Sequence, residues 1–165
     1  MKTPWLVVGK GAIGLLAASR WQLCRQPVLL WQKQPKSLCY RFSSGSQDYA
    51  MMLQNAQSGP FDKVLVPLKA YDVVDAVKSL LPMLSEQAQI VLCHNGMGTI
   101  DTARTLLSPG QGLWFASTTH GALKSGPHRL QHTGVGRTVL GDAATLADCG
   151  EHFGHGLTER EVRYL

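Results

Sequence analysis

The chain has 165 residues, the length of one domain, and is long enough to bury a hydrophobic core. Its hydrophobic content of 44% and charged content of 16% are typical of a globular protein and exclude a disordered one. The net charge of +5 comes from Lys and Arg residues that are scattered singly, which argues against nucleic acid and suits a small anionic ligand.

The first predicted element is a strand over residues 5–8, followed by three glycines at G-x-G-x-x-G spacing and a helix-favouring run. This order predicts a dinucleotide-binding turn. Gly9 would allow a sharp turn, Gly11 would let the backbone approach a pyrophosphate, and Gly14 would let the helix pack closely on the strand. The alternative is a turn that binds nothing. The predicted cofactor-binding residues of this segment are Gly9, Lys10, Gly11, Ala12, Ile13 and Gly14.

The N-terminus imitates a signal peptide, because Met1 and Lys2 precede an apolar stretch. Glycines and Lys10 interrupt that stretch, and no other segment approaches the roughly 18 apolar residues of a membrane span. The four cysteines are far apart and form no C-x-x-C pair, which suits reduced thiols. We therefore expect a cytoplasmic protein that does not associate with membranes.

A second strand is predicted at Val28–Trp31, after a turn at Gln26-Pro27. An NAD-specific site would carry Asp or Glu after this strand to hold the ribose 2′-hydroxyl. Here the strand is followed by Lys33, and no acidic residue occurs before Asp48. A lysine can meet a 2′-phosphate instead, so the sequence favours NADP(H) over NAD(H). The alternative is a loop lysine that faces solvent.

The next segment is less regular. Residues 38–42 and 49–53 are predicted to form a small hairpin, with turn-forming residues between them. A buried strand is predicted at residues 62–68. The helix that follows is indicated by apolar residues at steps of three and four, with Pro82 bending or ending it. Those apolar residues are Val73, Val74, Val77, Leu80, Leu81 and Leu84.

Further alternation of strand and helix completes the pattern. We predict a strand at residues 89–93, a helix capped by Thr99 and running to about Leu107, and a strand at residues 113–118. This alternation predicts an α/β fold of the Rossmann type with a mainly parallel sheet, as one domain over residues 1–165. Lys69 and Asn95 each stand where a strand passes into a helix, the edge at which such sheets bind ligands.

Several segments carry a family resemblance, in one register along nearly the whole chain. They are Leu68-Lys69-Ala70, residues 75–80, the His94-Asn95-Gly96-Met97-Gly98-Thr99 block, residues 118–122, and residues 134–136 with 140–141. With these segments the chain resembles the N-terminal domain of ketopantoate reductase, also called 2-dehydropantoate 2-reductase. The H-N-G-M-G block is the specific part of this resemblance, because the glycine motif occurs in many families.

The resemblance implies an NADPH-dependent oxidoreductase that reduces 2-dehydropantoate, a small 2-keto acid, to pantoate on the route to pantothenate and coenzyme A. It places the cofactor pyrophosphate on residues 9–14 and the 2′-phosphate on Lys33. It also places Lys69 and Asn95 near the nicotinamide and the substrate as supporting catalytic residues, with Asn95 binding substrate. Ala122 would border the cofactor.

One departure from the family matters most. The family's proton-donating lysine and main substrate-binding residues belong to a helical C-terminal domain, and none of the sixteen Lys and Arg residues here takes that role. We therefore expect a cofactor-binding half that binds NADPH and is inactive alone: a truncated form, a proteolytic fragment or a shortened gene product. Residues 143–165 would connect to the missing domain, and self-association could bury the surface left by it. Lys10 would contact phosphate or extend into solvent.

Other candidate residues are weaker. Cys149, His152 and His155 have the spacing of metal ligands but lack a fourth ligand nearby, so we expect no metal. His94 and His120 adjoin the predicted cleft and are interpreted as structural groups rather than proton donors.

Two other functions stay open. One is a non-catalytic module that binds or senses NADP(H). The other is a methyltransferase that uses S-adenosylmethionine, since such enzymes share the glycine-rich first turn. Lys33 argues against it, because a ribose-binding acidic residue is expected at that position.

Overall fold

A computed structural model describes residues 3–94 and 98–142 of the chain. Over these residues the strands form a single ten-stranded sheet. No helix in them has the length and apolar composition needed to cross a bilayer. The elements in chain order are β1 (Trp5–Val8), α1 (Ala12–Leu23), β2 (Val28–Trp31), β3 (Leu38–Ser44), β4 (Gln47–Asn55), β5 (Phe61–Val66), α2 (Ala70–Leu80), a 3-10 turn (Leu81–Met83), β6 (Leu84–Cys93), α3 (Thr99–Leu106), β7 (Gly112–Thr118), β8 (Gly121–Lys124), β9 (Arg129–Gly134) and β10 (Thr138–Asp142).

The centre of the sheet is parallel and has the order β4-β2-β1-β5-β6-β7. The chain moves from β1 to β2 on one side and later returns to pair β5 with the other side of β1. The strand order therefore reverses at β1, and the carboxyl ends of β1 and β5 flank the crevice where sheets of this kind bind ligands. The predicted α/β fold of the Rossmann type is confirmed.

Helices cover both faces of the central sheet. Successive side chains of each buried strand point to opposite faces, so each strand contributes to the core on both sides. Trp5 and Val7 of β1 pack on the side of α1, where Trp5 stacks on Trp21 with ring centroids 4.4 Å apart. Leu6 and Val8 face the opposite side, with α2 and α3. This double burial explains why the strand sequences are almost entirely apolar.

The edges of the sheet are antiparallel. The predicted hairpin is confirmed as β3 and β4, which extend further than expected and turn at Gly45 with φ of 59°. On the far side of β3, β9 pairs with β3 in parallel, and β8 pairs antiparallel with the other side of β9. At the other edge β10 runs antiparallel to β7. β8 packs against α1, which brings the later part of the chain over the first helix.

The structure corrects three element boundaries. The bend or end of the helix predicted at Pro82 is confirmed, since α2 ends at Leu80 and Pro82 lies in the 3-10 turn that follows. The apolar residue Leu84 does not belong to the helix but pairs with Phe61 as the first residue of β6. That strand therefore begins five residues before the predicted Gln89. The strand predicted to reach Leu68 ends at Val66. Thr99 does not cap α3; it is the first helical residue, after an N-cap at Gly98 whose φ is 89°.

Candidate functional site

Two cavities open at the edge of the sheet where β1, β5, β6 and β7 end. The larger has a volume of about 690 Å³ and lies between the glycine turn, the β5–α2 connection and the ends of β6 and β7. The smaller, of about 260 Å³, lies between the ends of β1 and β2 and one side of α2. Leu68 and Asp72 line both. Together they form one groove across the point where the strand order reverses.

The glycine turn has the geometry that the sequence predicted. Gly9 has φ of 79°, a left-handed conformation that favours glycine, and it lines the smaller cavity. A Cβ on Gly14 would lie 2.6 Å from Cγ of Pro67 and 3.1 Å from Cγ1 of Val7, so α1 can pack closely only without one. At Gly11 the nearest atom to an added Cβ would be the Pro67 oxygen at 3.8 Å. The protein thus leaves space over Gly11, and this residue lines the larger cavity.

The N-terminus of α1 points into this groove. Gly11 is its N-cap, no side chain caps it, and its first turn holds no acidic residue. Ala12 and Ile13, the first two helical residues, line the larger cavity. The first N–H groups of a helix have no acceptor within the helix, and the helix dipole adds partial positive charge there. This end of α1 can therefore bind an anion such as a phosphate.

Lys33 lines the smaller cavity together with Gly9. Its side chain is exposed, and the loop that carries it is braced by a 2.7 Å hydrogen bond from Nε2 of Gln32 to the Lys36 carbonyl. The same cavity is lined by Asp72 and Asp75 of α2. These two carboxylates were not identified as site residues from the sequence, where they were indistinguishable from acidic residues that favour a helix N-terminus.

Lys69 is the N-cap of α2 and lines the larger cavity, where its side chain is exposed. Tyr71 lines the same cavity and is 80% exposed, an unusual degree for a large aromatic residue. Asn95, the other predicted catalytic residue, lies outside the described residues. Its neighbour His94 lines the larger cavity.

His94 is buried beside the cavity. Its Nε2 lies 2.7 Å from the Thr99 hydroxyl oxygen, and its ring meets the Phe115 ring edge-on at a centroid distance of 5.3 Å. Burial lowers the pKa of His94, which favours the neutral ring. These contacts fix the connection between β6 and α3 and are consistent with the structural role predicted for this residue.

His120 also lines the larger cavity, at the turn between β7 and β8. Its Nε2 lies 3.1 Å from Nη1 of Arg20, and its Nδ1 lies 3.1 Å from both His132 Nε2 and the Gly136 amide nitrogen. Burial lowers the pKa of His120, and the charge of Arg20 and the His132 ring lower it further. Because a guanidinium only donates hydrogen bonds, the neutral ring fits this environment better than a protonated one.

His132 continues this network, with its Nδ1 3.3 Å from the Ser44 hydroxyl oxygen. The network joins α1, β3, β9 and the β7–β8 turn. Its directly hydrogen-bonded side chains are up to 100 positions apart in the sequence, so no local pattern could have revealed it.

Three of the predicted cofactor-binding residues that the structure describes lie outside the lining of both cavities: Lys10, Gly14 and Ala122. Ala122 is in β8, partly buried against the core on the α1 side. Lys10 has an exposed side chain, and its carbonyl accepts a 2.9 Å hydrogen bond from Nζ of Lys124. Lys124 was not singled out from the sequence.

Several predictions concern residues 95–97 and 143–165, which lie outside the described part of the chain. Besides Asn95 they include Cys149, His152 and His155 and the proposed connection over residues 143–165. Among the described residues, no group of three or more His, Cys, Asp or Glu is arranged to hold a metal ion.

The sequence matches a known protein family and several of its members. A family model described as "Ketopantoate reductase PanE/ApbA" matches residues 5–145. A 2-dehydropantoate 2-reductase of Vibrio cholerae is 32% identical over 157 residues, which cover 92% of this chain and 53% of that protein.

Solved structures resemble it as well. The 2-dehydropantoate 2-reductase from Geobacter metallireducens superposes with a TM-score of 0.73 at 23% identity, over 84% of this chain and 49% of that one. A D-mandelate dehydrogenase in a ternary structure with NADH and anilino(oxo)acetate has a TM-score of 0.72 at 16% identity, over 83% and 47%. The chain thus spans about half the length of these proteins.

Proposed function

Because the chain belongs to the ketopantoate reductase family, we propose that it supplies the cofactor-binding part of an enzyme that reduces 2-dehydropantoate to pantoate with NADPH. The observation that carries this proposal is the single groove formed by the two cavities. The N-terminus of α1 faces the larger cavity, and Lys33 and Gly9 line the smaller one. A dinucleotide has this same order of charged groups, a pyrophosphate followed by a ribose with its 2′-substituent.

The fit of NADP(H) follows from the residues along the groove. The space over Gly11 and the uncapped start of α1 suit the pyrophosphate. Lys33 would meet the 2′-phosphate as a point charge. The larger cavity would then receive the nicotinamide and the substrate. When bound, the cofactor supplies the hydride.

The chain's own residues would bind and orient the reactants. The exposed ammonium of Lys69 lines the larger cavity and would attract the carboxylate of a 2-keto acid. The resemblance assigns Asn95 to nicotinamide and substrate, and its amide can donate to a carbonyl oxygen. The neutral rings of His94 and His120 make poor acids at the groove, so we do not assign the proton donor to them.

We therefore expect this chain by itself to bind cofactor and turn over no substrate. Mixing the protein with NADPH and 2-dehydropantoate and following absorbance of the reduced nicotinamide tests this expectation. Binding should be detectable by a change in NADPH fluorescence while the absorbance stays constant. Steady oxidation of NADPH would show that a residue of this chain donates the proton, and absence of binding would overturn the proposed function.

A non-catalytic module that binds or senses NADP(H) remains a second candidate, because neither of the two histidines that line the groove is assigned as the proton donor. The two candidates differ in substrate binding. A reductase part should respond to 2-dehydropantoate when NADPH is bound, whereas a sensing module should not. The family match argues against the methyltransferase alternative. The cytoplasmic location, the absence of a nucleic-acid partner and self-association stay predictions.

A further inference from the structure

Lys124 reaches from the end of β8 to the glycine turn. Its Nζ donates a 2.9 Å hydrogen bond to the carbonyl oxygen of Lys10, 114 positions earlier in the sequence. The contact is possible because β8 packs against α1, directly after the turn. Neither lysine lines the two cavities, so this hydrogen bond would influence a ligand in the groove only through the conformation of the glycine turn.

The direction of the Lys10 carbonyl determines where the next N–H points. In a trans peptide the C=O and the following N–H point in opposite directions, so the Lys10 carbonyl and the Gly11 amide belong to one rigid unit. A carbonyl drawn toward Lys124 therefore turns the Gly11 amide away from β8. Gly11 lines the larger cavity and is the N-cap of α1. The hydrogen bond thus fixes the orientation of the Lys10–Gly11 peptide, which lies at the N-terminus of α1 where an anion can bind.

Electrostatics favour the same arrangement. A carbonyl oxygen carries partial negative charge, and one that rotated toward a bound pyrophosphate would repel it. Lys124 holds this oxygen on its own side and adds a positive charge close to the turn.

We propose that Lys124 is a positioning residue for dinucleotide binding: it holds the Lys10–Gly11 peptide so that the amide at the start of α1 faces the pyrophosphate. This inference rests on the proposed function, since it takes the ligand to be a dinucleotide. It differs from the role proposed for Lys33, which concerns only the 2′-phosphate. Lys124 should therefore affect both NADPH and NADH, whereas Lys33 should affect only ligands that carry a 2′-phosphate.

The test compares the affinities of the wild-type protein and of Lys124→Met for NADPH, NADH and adenosine 2′-monophosphate, which lacks a pyrophosphate. Lys124→Met should weaken NADPH and NADH by the same factor, about tenfold for loss of a charge-assisted hydrogen bond, and leave adenosine 2′-monophosphate unchanged. Lys124→Arg should restore most of the loss. Lys78→Met, which removes an exposed lysine of α2 outside both cavities, is the matched control and should bind all three ligands normally.

Hydrogen exchange provides a second measurement without ligand. The amides of Gly11 and Ala12 should exchange faster in Lys124→Met than in the wild-type protein, because the peptide is no longer held. Thermal unfolding of each variant shows whether it is folded. If Lys124→Met is not, Lys124→Gln replaces it, because its shorter neutral side chain also removes the charge and the hydrogen bond to Lys10.

Unchanged affinity for both dinucleotides in Lys124→Met would overturn the positioning role alone. An equal loss of adenosine 2′-monophosphate would also overturn it, since that result indicates a general structural defect. If the wild-type protein binds neither NADPH nor NADH, the proposed function itself fails and this inference fails with it.

Discussion

The backbone amide of Gly9 donates a 2.8 Å hydrogen bond to the carbonyl oxygen of Trp31. This contact joins the glycine turn to the end of β2, only two residues before Lys33. The two features that the proposal assigns to pyrophosphate and 2′-phosphate are therefore held by one hydrogen-bonded unit.

Gly9→Ala should weaken both the fold and cofactor binding. With φ of 79°, Gly9 is in a region where an L-residue costs about 1–2 kcal/mol, and its Cβ would lie 3.0 Å from Cδ2 of Leu68. Urea unfolding and NADPH titration measure the two effects. The control is Gly45→Ala, which has φ of 59° in the β3–β4 turn and no neighbouring atom within 4 Å. It should lose similar stability and keep its NADPH affinity. If Gly45→Ala also lost NADPH affinity, the loss in Gly9→Ala could not be assigned to the glycine turn, and the prediction would fail.

Gly11→Ala and Gly14→Ala should have opposite effects. At Gly14 the new Cβ would collide with Pro67, so we expect a loss of about 1–3 kcal/mol in the free energy of unfolding, partly offset by better helix propensity. At Gly11 the backbone conformation is ordinary, with φ of −70°, and the added Cβ would meet no protein atom closer than 3.8 Å. Gly11→Ala should therefore keep its stability and lose NADPH affinity, because the methyl group occupies the space of the phosphate. The reverse pattern would contradict the assignment of the groove.

Stability should fall as the pH drops below about 6.5, the ordinary pKa of histidine. The folded state lowers the pKa of both His94 and His120, mainly by burial, so it binds fewer protons than the unfolded state in this range. Their contribution is complete above the unfolded pKa and is lost as the pH falls through the folded pKa. Urea unfolding at a series of pH values between 7.5 and 5 measures it.

Replacing Arg20 separates the two histidines. Arg20→Met removes a charge that lowers the pKa of His120 and leaves the surroundings of His94 unchanged, so the pH dependence should become shallower. Arg129→Met, at an exposed arginine of β9 that lines neither cavity, is the matched control and should leave the pH profile as it is. A profile in which Arg20→Met matches the wild-type protein would show that Arg20 does not act on His120.

Local sequence patterns were sufficient for the first β-α-β unit. The residues from Trp5 to Trp31 form the predicted strand, turn, helix and strand, because glycine conformation and apolar periodicity act within a few residues. The hairpin and the order of later elements were predicted in the same way. The end of α2 near Pro82 was predicted as well, but the start of β6 at Leu84 was not, since an apolar residue fits a helix face and a buried strand equally well.

The residues missed in the site depend on contacts between distant segments. Lys124 reaches Lys10 only because β8 lies over α1, and His120 meets Arg20 for the same reason. Asp72 and Asp75 were visible as helix-start acids, but their place beside Lys33 follows from the packing of α2 against the ends of β1 and β2. Sequence spacing carries no information about such proximity.

The choice between NADPH and NADH tests the central claim most directly. The measurement is the dissociation constant of each cofactor for the wild-type protein, for Lys33→Asp and for the control Lys36→Asp, which changes an exposed lysine that lines neither cavity. We predict that the wild-type protein prefers NADPH and that Lys33→Asp weakens NADPH by about tenfold or more while changing NADH little, with Lys36→Asp close to wild type. A wild-type preference for NADH, or equal losses of the two cofactors in Lys33→Asp, would contradict it.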